Sequence, residues 1–260
     1  MTWARIKAAD GQILGGIVAD QRLSPMAGIG GGPAGPAVSM QGATLLAPCV
    51  PGKFIGLWNN YHAAAARNGW AAPTHPLHFL KPVTCVVGDG ADVVLPQAAG
   101  RVVFEGELGI VIGTRCHTAT EAEAEAAIFG YTCVNDLTSV DILNADPAFA
   151  QWTRAKGFDG FGVIGPVVVP GLDWRDLTIR TLVNGRERQS YPASDMIFSP
   201  PQIVRHLSRD MTLMPGDVIA VGTSLGTRPV KPADQVTVSI EGIGSVTVTM
   251  LADPNAVSGA

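Results

Sequence analysis

The sequence predicts a β-rich α+β fold with a small N-terminal appendage, and three observations carry this prediction. Hairpin signals are frequent in the second half of the chain. Complete helix-start signatures are found in only two places. Residues 1–50 are rich in glycine and proline and end in "LLAPCVPGK", which is typical of a small unit followed by a linker. We therefore expect an N-terminal unit and linker over residues 1–50 and a larger catalytic domain over residues 51–260.

The hairpin signals come from short turn sequences between strand-like runs. Asn184 and Gly185 separate two such runs, and Asn-Gly is a preferred pair for the tight turn of a two-residue hairpin. Near the C-terminus, "EGIG" separates "VTVSI" from "SVTVTML". Both segments predict antiparallel strand pairs, which form the β-rich part of the fold.

The helix signals are capping boxes, in which the side chain before the helix and the one three residues later satisfy each other's backbone N–H groups. Thr120 and Glu123 form one such pair, and Ser199 and Gln202 form the other, with a proline at the first helical position. A shorter helix is predicted over residues 62–68.

Composition limits the partners of the protein. The chain has 260 residues, of which 47% are apolar and 15% charged, with a formal net charge of -4. With this net negative charge, the chain has no excess of positive charge that would bind nucleic acid or an anionic membrane surface. The longest apolar runs are about half of the roughly 20 residues that a membrane helix needs. We expect a globular, cytoplasmic protein with a small-molecule partner.

The start of the chain has no secretory signal pattern, which supports the cytoplasmic expectation. Widely spaced cysteines without a CxxC pair are typical of reduced core thiols. The four cysteines are Cys49, Cys85, Cys116 and Cys133.

Three patterns match functional motifs but lack the sequence context that each motif needs, and for "GTSLG" a turn that faces the substrate or is purely structural is expected instead. The glycine-rich "GIGGGPAG" lacks the preceding strand and following helix that a dinucleotide site requires. "GTSLG" matches a nucleophile-elbow pattern, but no helix signal or later histidine follows it. "HPLH" is flanked by prolines that disfavour a helix presenting both histidines to a metal.

Two glutamates stand alone in the apolar segment "VVFEGELGIVIG" at residues 102–113. Alternate side chains of a strand point to the same face, so Glu105 and Glu107 would share one site, with β-carbons roughly 7 Å apart. Two carboxylates so close in a low-dielectric site either retain a proton or bind a divalent cation. A solvated strand face is the alternative, although the neighbours on that face, such as Val103 and Val111, are apolar.

A third carboxylate follows about two dozen residues later. "GYTCVNDLT" reads as an apolar strand that ends in Asp136, and a strand, a helix and a returning strand would bring Asp136 beside the glutamates. An all-oxygen ligand set suits Mg²⁺, Mn²⁺ or Ca²⁺ better than zinc. Lys156, in the glycine- and aromatic-rich "AKGFDGFG", could supply a positive charge next to an anionic substrate.

Seven segments together carry a resemblance to a known family. In chain order they are "FEGELGIVIG", "GYTCVNDLT", "KGFDGFGVIGP", "VNGRERQ", "DMIF", "LSRDMTLMPGDVIAVGTSLG" and "VSIEGIG". From about Lys53 to Met250 the chain resembles the fumarylacetoacetate hydrolase superfamily, particularly its bacterial fumarylacetoacetate hydrolase and 2-hydroxyhepta-2,4-diene-1,7-dioate isomerase group.

The resemblance implies a mixed β-roll core, a homodimer, and a site for 2-oxo acids that depends on Mg²⁺ or Mn²⁺, with Ca²⁺ as a possible substitute. By position, it implies metal ligands at Glu105, Glu107 and Asp136, catalytic residues at His62 and Lys156, and substrate contacts at Gly222 and Thr223.

Two positions depart from the family pattern. Many members carry a glutamate three residues after the histidine that corresponds to His62, and this chain has Ala65. The usual arginine four residues after the metal-binding aspartate is Val140. The first departure concerns water activation, and the second concerns recognition of a distal substrate carboxylate.

We expect a metal-dependent enzyme that chelates a 2-oxo acid and cleaves a carbon–carbon bond through an enolate. Hydrolysis of an acylpyruvate-type substrate is the first expectation. Decarboxylation or isomerisation of a 2-hydroxyhepta-2,4-diene-1,7-dioate type diacid, or oxaloacetate decarboxylation or tautomerisation, is the second. A non-catalytic protein that binds metal and oxo acid is the third.

Overall fold

The computed structural model describes residues 1–256, and strands dominate that part of the chain, as predicted. The strands β1 to β19 are Thr2–Lys7, Ile13–Ala19, Arg22–Pro25, Val38–Ser39, Thr44–Leu46, Phe54–Trp58, Leu77–Lys81, Val86–Val87, Asp92–Leu95, Val102–Val103, Gly106–Ile112, Ile128–Asp136, Thr138–Ser139, Gly162–Val169, Thr178–Val183, Arg186–Pro192, Val218–Ala220, Gln235–Ile240 and Gly244–Ala252. The helices α1 to α5 are His62–Asn68, Glu121–Ala127, Val140–Leu143, Trp152–Lys156 and Pro200–Asp210.

Two large sheets and one short pair of strands contain these elements. The first sheet runs in the order β4-β3-β2-β1-β14-β12-β11-β17-β6-β7, with β5 beside β1 and β8 beside β14. The second runs in the order β16-β15-β18-β19-β9, and β10 pairs with β13. The strand pairs β17–β6, β14–β8 and β19–β9 are parallel and the other pairs are antiparallel, so the sheets are mixed. The β-rich α+β prediction is confirmed.

The local predictions of turns and caps agree with the structure. Strands β15 and β16 flank the Asn-Gly turn at 184–185, and β18 and β19 flank "EGIG". Both capping boxes are present, at Thr120 before α2 and Ser199 before α5. Helix α1 spans the predicted residues 62–68. Helices α2 and α5 follow from local sequence because each capping box satisfies backbone N–H groups at the start of its own helix.

The N-terminal residues join the first sheet directly. Strand β1 pairs with β14 through Trp3 and Val168, and the Trp3 indole donates a hydrogen bond to the Pro48 carbonyl at 2.9 Å. The glycine-rich segment at 28–35 is irregular, and no helix follows it before β4. The structure thus places the segment as a loop, in line with the rejection of a dinucleotide site.

Strand β11 is buried on both faces, which explains why its sequence is a near-continuous apolar run. Leu108 and Ile110 pack into a core cluster that includes Val238 of the second sheet. Val111, on the opposite face, packs into a separate cluster with Phe54. The odd-numbered face, which also carries Glu107, is therefore a buried face rather than a wet one.

The cysteines are buried free thiols, as predicted. Burial raises the pKa of Cys49 to about 12 and that of Cys85 to about 11, so both thiols are poor nucleophiles. Within residues 1–256, no helix is long and apolar enough to cross a membrane.

Candidate active site

Strands β11 and β12 position the three predicted metal ligands. They are antiparallel neighbours joined through α2, and Glu107 lies opposite Val134 in their register. Glu105 lies in the short break between β10 and β11, where its carbonyl accepts a hydrogen bond from the Asp136 N–H at 2.8 Å. The predicted strand–helix–strand arrangement is therefore present and brings Asp136 beside the glutamates.

The three carboxylates form a compact set. One oxygen from each of Glu105, Glu107 and Asp136 lies within 4.8 Å of the other two. Glu107 is 1% exposed, and its Oε1 atom has no hydrogen-bond partner. An unpaired buried carboxylate oxygen is costly, and a divalent cation bound by all three groups would satisfy it. The residues present therefore fit a hard divalent metal ion.

Lys156 contacts the carboxylates as predicted, although it is 1% exposed. From the end of α4, its Nζ lies 2.7 Å from Glu105 Oε2, 2.6 Å from Asp136 Oδ2 and 2.7 Å from Thr138 Oγ1. All three donor positions of the ammonium group are thus used. The loop after β12 and helix α4 converge here, although they are separate in the sequence.

A second buried lysine, Lys81, was missed by sequence reasoning. Its Nζ donates to Asp136 Oδ1 at 2.5 Å and to the carbonyls of Lys156 and Phe161 at 2.6 and 3.1 Å. The available signal was strand alternation, because Phe79 and Lys81 are the buried positions of β7. Lys81 therefore binds the second oxygen of the Asp136 carboxylate and also stabilises the backbone at Lys156.

Burial and charge set the protonation of the site. Burial raises the pKa of Glu107 well above its usual range, and the neighbouring Asp136 and Glu105 carboxylates raise it further. Burial also raises the pKa of Glu105. For Asp136, burial is outweighed by the attraction of Lys156 and Lys81, and its pKa is lowered. The pKa of Lys156 is raised, because the attraction of Asp136 and Glu105 outweighs burial. Without a cation, Glu107 is the group that retains a proton most readily.

Of the two predicted substrate-binding residues, Thr223 lines the cavity, whereas Gly222 contacts a predicted metal ligand. The Gly222 N–H donates to Glu107 Oε2 at 2.7 Å, so this residue orients a metal ligand. Its φ of +93° favours glycine. Thr223 lines the cavity, donates to the Gly106 carbonyl at 2.9 Å and accepts from Gln189 Nε2 at 2.9 Å. The turn after β17 is thus anchored to the start of β11.

A cavity of about 420 Å³ opens onto this site. Glu105, Lys156 and Thr138 line one end of it. The other lining residues are mostly apolar or aromatic and come from the end of β6, short helices and loops; they include Leu57, Trp58, Trp70, Val140, Leu143 and Trp152.

His62 does not line this cavity. It is the first residue of α1 and its side chain is exposed, whereas Ala64 and Asn68 of the same helix line the cavity. Ala65 is buried. The catalytic role assigned to His62 by resemblance stays a prediction, and the structure places an alanine at the cavity face of α1.

The serine of "GTSLG" and the histidines of "HPLH" lie where neither motif could act as a nucleophile elbow or a metal pair. Ser224 of "GTSLG" is buried, lines the cavity, and is followed by irregular backbone rather than a helix. His78 lies at an exposed position of β7 and His75 contacts Thr74. Within residues 1–256, the only group of three or more potential metal ligands is the carboxylate set.

The chain is similar to known proteins over most of its length. A family model described as fumarylacetoacetate (FAA) hydrolase C-terminal matches residues 53–251. The Mycobacterium tuberculosis protein Rv2993c is 43% identical over 206 residues, with 78% of this chain and 77% of that protein covered.

Two solved structures share the fold and carry different activities in their names. One is 5-carboxymethyl-2-hydroxymuconate delta-isomerase from Mycobacterium smegmatis, with a TM-score of 0.87, 36% identity, and coverage of 98% of this chain and 100% of that chain. The other is fumarylacetoacetate hydrolase from Exiguobacterium antarcticum, with a TM-score of 0.85, 29% identity, and coverage of 97% and 100%. Similarity alone therefore does not separate isomerase from hydrolase chemistry.

Proposed function

This chain belongs to the fumarylacetoacetate (FAA) hydrolase family, and on that premise we propose that it is a divalent-metal-dependent enzyme that acts on 2-oxo carboxylic acids. The observation that carries the proposal is the set of Glu105, Glu107 and Asp136, with an unpaired Glu107 oxygen and Lys156 at the cavity end. Mg²⁺ or Mn²⁺ is the proposed ion, because both prefer carboxylate oxygens.

The protein's own groups have defined tasks in this proposal. A bound divalent ion would act as a Lewis acid toward the carboxylate and oxo oxygens of the substrate. Lys156 remains charged because its pKa is raised, so its ammonium group stabilises negative charge that develops on the oxo oxygen rather than acting as a base. Lys81 and the Gly222 N–H hold Asp136 and Glu107 in place. The chain thus provides a preorganised site for an enolate-like charge.

Between the candidate reactions, the cavity supports tautomerisation, isomerisation or decarboxylation of a 2-oxo acid over hydrolysis. These reactions need charge stabilisation at the oxo oxygen but no activated water. No histidine is among the cavity-lining residues of the described chain, and Ala64 occupies the cavity face of α1. This reverses the order of the sequence-based expectations.

Acylpyruvate hydrolysis is the second candidate, and two observations favour it. The chain is similar to the Exiguobacterium antarcticum hydrolase over nearly its full length. His62 lies two residues from the cavity-lining Ala64, so a modest rearrangement of α1 could bring its imidazole to the cavity.

The test uses purified protein loaded with Mg²⁺ or Mn²⁺ and a panel of acylpyruvates, hydroxymuconate-type diacids and oxaloacetate. Loss of the enol absorbance and product analysis would identify the reaction. We expect turnover that a chelator abolishes and that His62→Ala leaves within about threefold of the parent, because proton transfer by a positioned side chain is worth at least about 100-fold. Cleavage of acylpyruvates that is lost in His62→Ala would support hydrolysis. Metal binding without turnover would favour the non-catalytic binder.

A cytoplasmic homodimer completes the proposal. Reduced, buried cysteines are consistent with a reducing compartment. A solution mass of twice the 27.0 kDa chain would support the dimer, and a mass of one chain would contradict it.

A further inference from the structure

The charged groups of the cavity are confined to one end. Among its lining residues in the described chain, only Glu105 and Lys156 carry charge. Both belong to the carboxylate–lysine cluster, which consists of Glu105, Glu107, Asp136, Lys81 and Lys156. In this cluster Lys156 already contacts Glu105 and Asp136. No lining cation is therefore free to pair with a second carboxylate at the other end.

With a divalent ion bound, the net charge of the carboxylate–lysine end would match one substrate carboxylate. Three carboxylates, two buried lysines and a divalent ion would leave a single positive charge. One substrate carboxylate would neutralise it. A second carboxylate would have to be desolvated without a partner, which costs free energy.

A wall of aromatic rings begins beside Lys156, whose Nζ lies 5.0 Å from the centroid of the Phe79 ring, and extends through Trp152 and Trp58 to Trp70. The Trp58 ring lies 4.9 Å from Trp70 and 6.0 Å from Trp152, measured between ring centroids. Phe79 stacks on Trp152 at 5.1 Å with an interplanar angle of 13°, which fixes that indole. Tryptophans arranged in this way provide a broad apolar surface for a flat or apolar group.

Large apolar side chains are also exposed at the cavity rim. Trp70 is 40% exposed and Leu225 is 43% exposed, and both line the cavity. Exposed apolar surface at a concave site is typical of ligand binding, because a ligand would bury it.

The polar groups at this end are neutral, and the side-chain nitrogens of its asparagines already have partners, whereas the Asn59 Oδ1 atom is buried without one. Asn59, Asn68 and Asn144 donate from their side-chain nitrogens to backbone carbonyls at 3.0, 2.8 and 2.9 Å. Val140 lies at the first turn of α3 and lines the cavity with an apolar side chain. This end therefore offers apolar contact and weak polar contact, without a carboxylate partner.

From these observations we propose that the substrate is a 2-oxo acid with one carboxylate, held at the carboxylate–lysine end, and an uncharged apolar or aromatic group that lies against the tryptophans. The inference rests on the proposed function, because it assumes that the 2-oxo acid end binds at the metal site. It makes Val140 and the tryptophans determinants of specificity.

The experiment compares ligands that share the 2-oxo acid end and differ at the other end. Oxalate reports on the metal end alone, 2-oxo-4-phenylbutanoate carries a phenyl group, and 2-oxopentanedioate carries a second carboxylate. Affinities for Mg²⁺-loaded protein are measured by calorimetry. We expect the phenyl ligand to bind at least about tenfold more tightly than the diacid, since burial of an aromatic ring is favourable and burial of an unpaired carboxylate is not.

Val140→Arg should improve diacid binding about tenfold or more through a charge-assisted pair and weaken phenyl binding. Thr227→Arg, at the exposed rim of the cavity, is a second variant with low risk to folding. Val94→Arg adds the same charge at an exposed position of β9 outside the cavity lining and should leave all three affinities unchanged.

The outcomes separate the two proposals. Oxalate binding that requires Glu107, together with equal or tighter binding of the diacid by the parent, would overturn the inference and leave the metal-site proposal standing. Diacid affinity that neither Arg variant improves would also overturn it. Failure of oxalate to bind the Mg²⁺-loaded parent would overturn both.

Discussion

The two ends of the cavity are built in different ways. The carboxylate–lysine end rests on central strands whose charged side chains are buried and held by short hydrogen bonds from Lys81, Lys156 and Gly222. The tryptophan end is formed by Trp58 at the end of β6, Trp152 at the start of α4 and the loop residue Trp70, which remains 40% exposed. The carboxylates are therefore fixed by buried contacts to the sheet, whereas an exposed loop residue such as Trp70 can change without disturbing them.

The strongest test of the carboxylate–lysine end is Lys156→Met. Removal of the ammonium group takes away charge stabilisation at the oxo oxygen, and we expect turnover to fall by about 100- to 1,000-fold. Lys7→Met, at an exposed position of β1, is the matched control and should retain activity. Steady-state kinetics checks this, and a Lys156→Met variant within tenfold of the parent would show that the ammonium group is not needed.

Lys81→Met tests whether the ion pair between Lys81 and Asp136 positions the Asp136 carboxylate. The variant leaves Asp136 buried with one cationic partner fewer, and we expect a loss of about 3 kcal/mol in the free energy of unfolding. Chemical denaturation measures this loss. A positioning role further predicts weaker Mg²⁺ binding by the folded variant, which a purely structural role would not produce.

The pH dependence of stability tests the charge balance at the same end. The pKa of Glu107 is raised in the folded protein, so the folded state retains a proton that the unfolded chain loses near pH 4.5. In metal-free protein, this contribution to stability is full below the unfolded pKa and is lost as pH rises through the folded value.

We therefore expect the melting temperature of metal-free protein to fall as pH rises above about 5, and the effect of added Mg²⁺ to grow over the same range. The raised pKa of Glu105 acts in the same direction as that of Glu107. The lowered pKa of Asp136 and the raised pKa of Lys156 act outside this window, below pH 3.8 and above pH 10.5. Thermal melts of the parent and of Glu107→Gln check the sign. A parent whose melting temperature rises through this range as steeply without metal as with it would contradict the assignment.

The smallest expected effect lies at the tryptophan end. Trp70→Ala should weaken binding of a phenyl-bearing 2-oxo acid about 2- to 10-fold, in line with the value of an aromatic pair. It should leave oxalate affinity and unfolding free energy nearly unchanged, because the Trp70 side chain is 40% exposed and belongs to none of the hydrogen bonds that hold the carboxylates. Equal losses for both ligands would instead indicate a general disturbance of the cavity.

The same comparison explains what the sequence could predict. Strand alternation predicts that Glu105 and Glu107 lie together, and they do, although Glu105 lies just before β11. An apolar strand that ends in Asp136 supplies the third carboxylate. Each of these inferences needs only local periodicity and one strand–helix–strand connection. The fold class, the hairpins and both capping boxes are predictable for the same reason.

Contacts between distant segments could not be predicted in this way. Lys81 reaches Asp136 across 55 residues of sequence, and Gln189 reaches Thr223 across 34. The aromatic wall joins Trp58 from β6, Trp70 from the loop after α1 and Trp152 from α4. The resemblance assigned a catalytic role to His62, yet only the packing of α1 shows that Ala64 is the residue against the cavity. Such juxtapositions depend on tertiary packing, for which the chain carries no local signal.

The central claim is that the three carboxylates bind one divalent ion, and calorimetric titration of metal-free protein with Mg²⁺ and Mn²⁺ tests it most directly. We expect one binding site per chain in the parent and in Glu125→Gln, whose substitution lies at an exposed position of α2. Glu107→Gln removes the buried carboxylate with the unpaired oxygen, and it should lose both the binding and the metal-dependent rise in melting temperature. Binding by Glu107→Gln as tight as that of the parent would contradict the account.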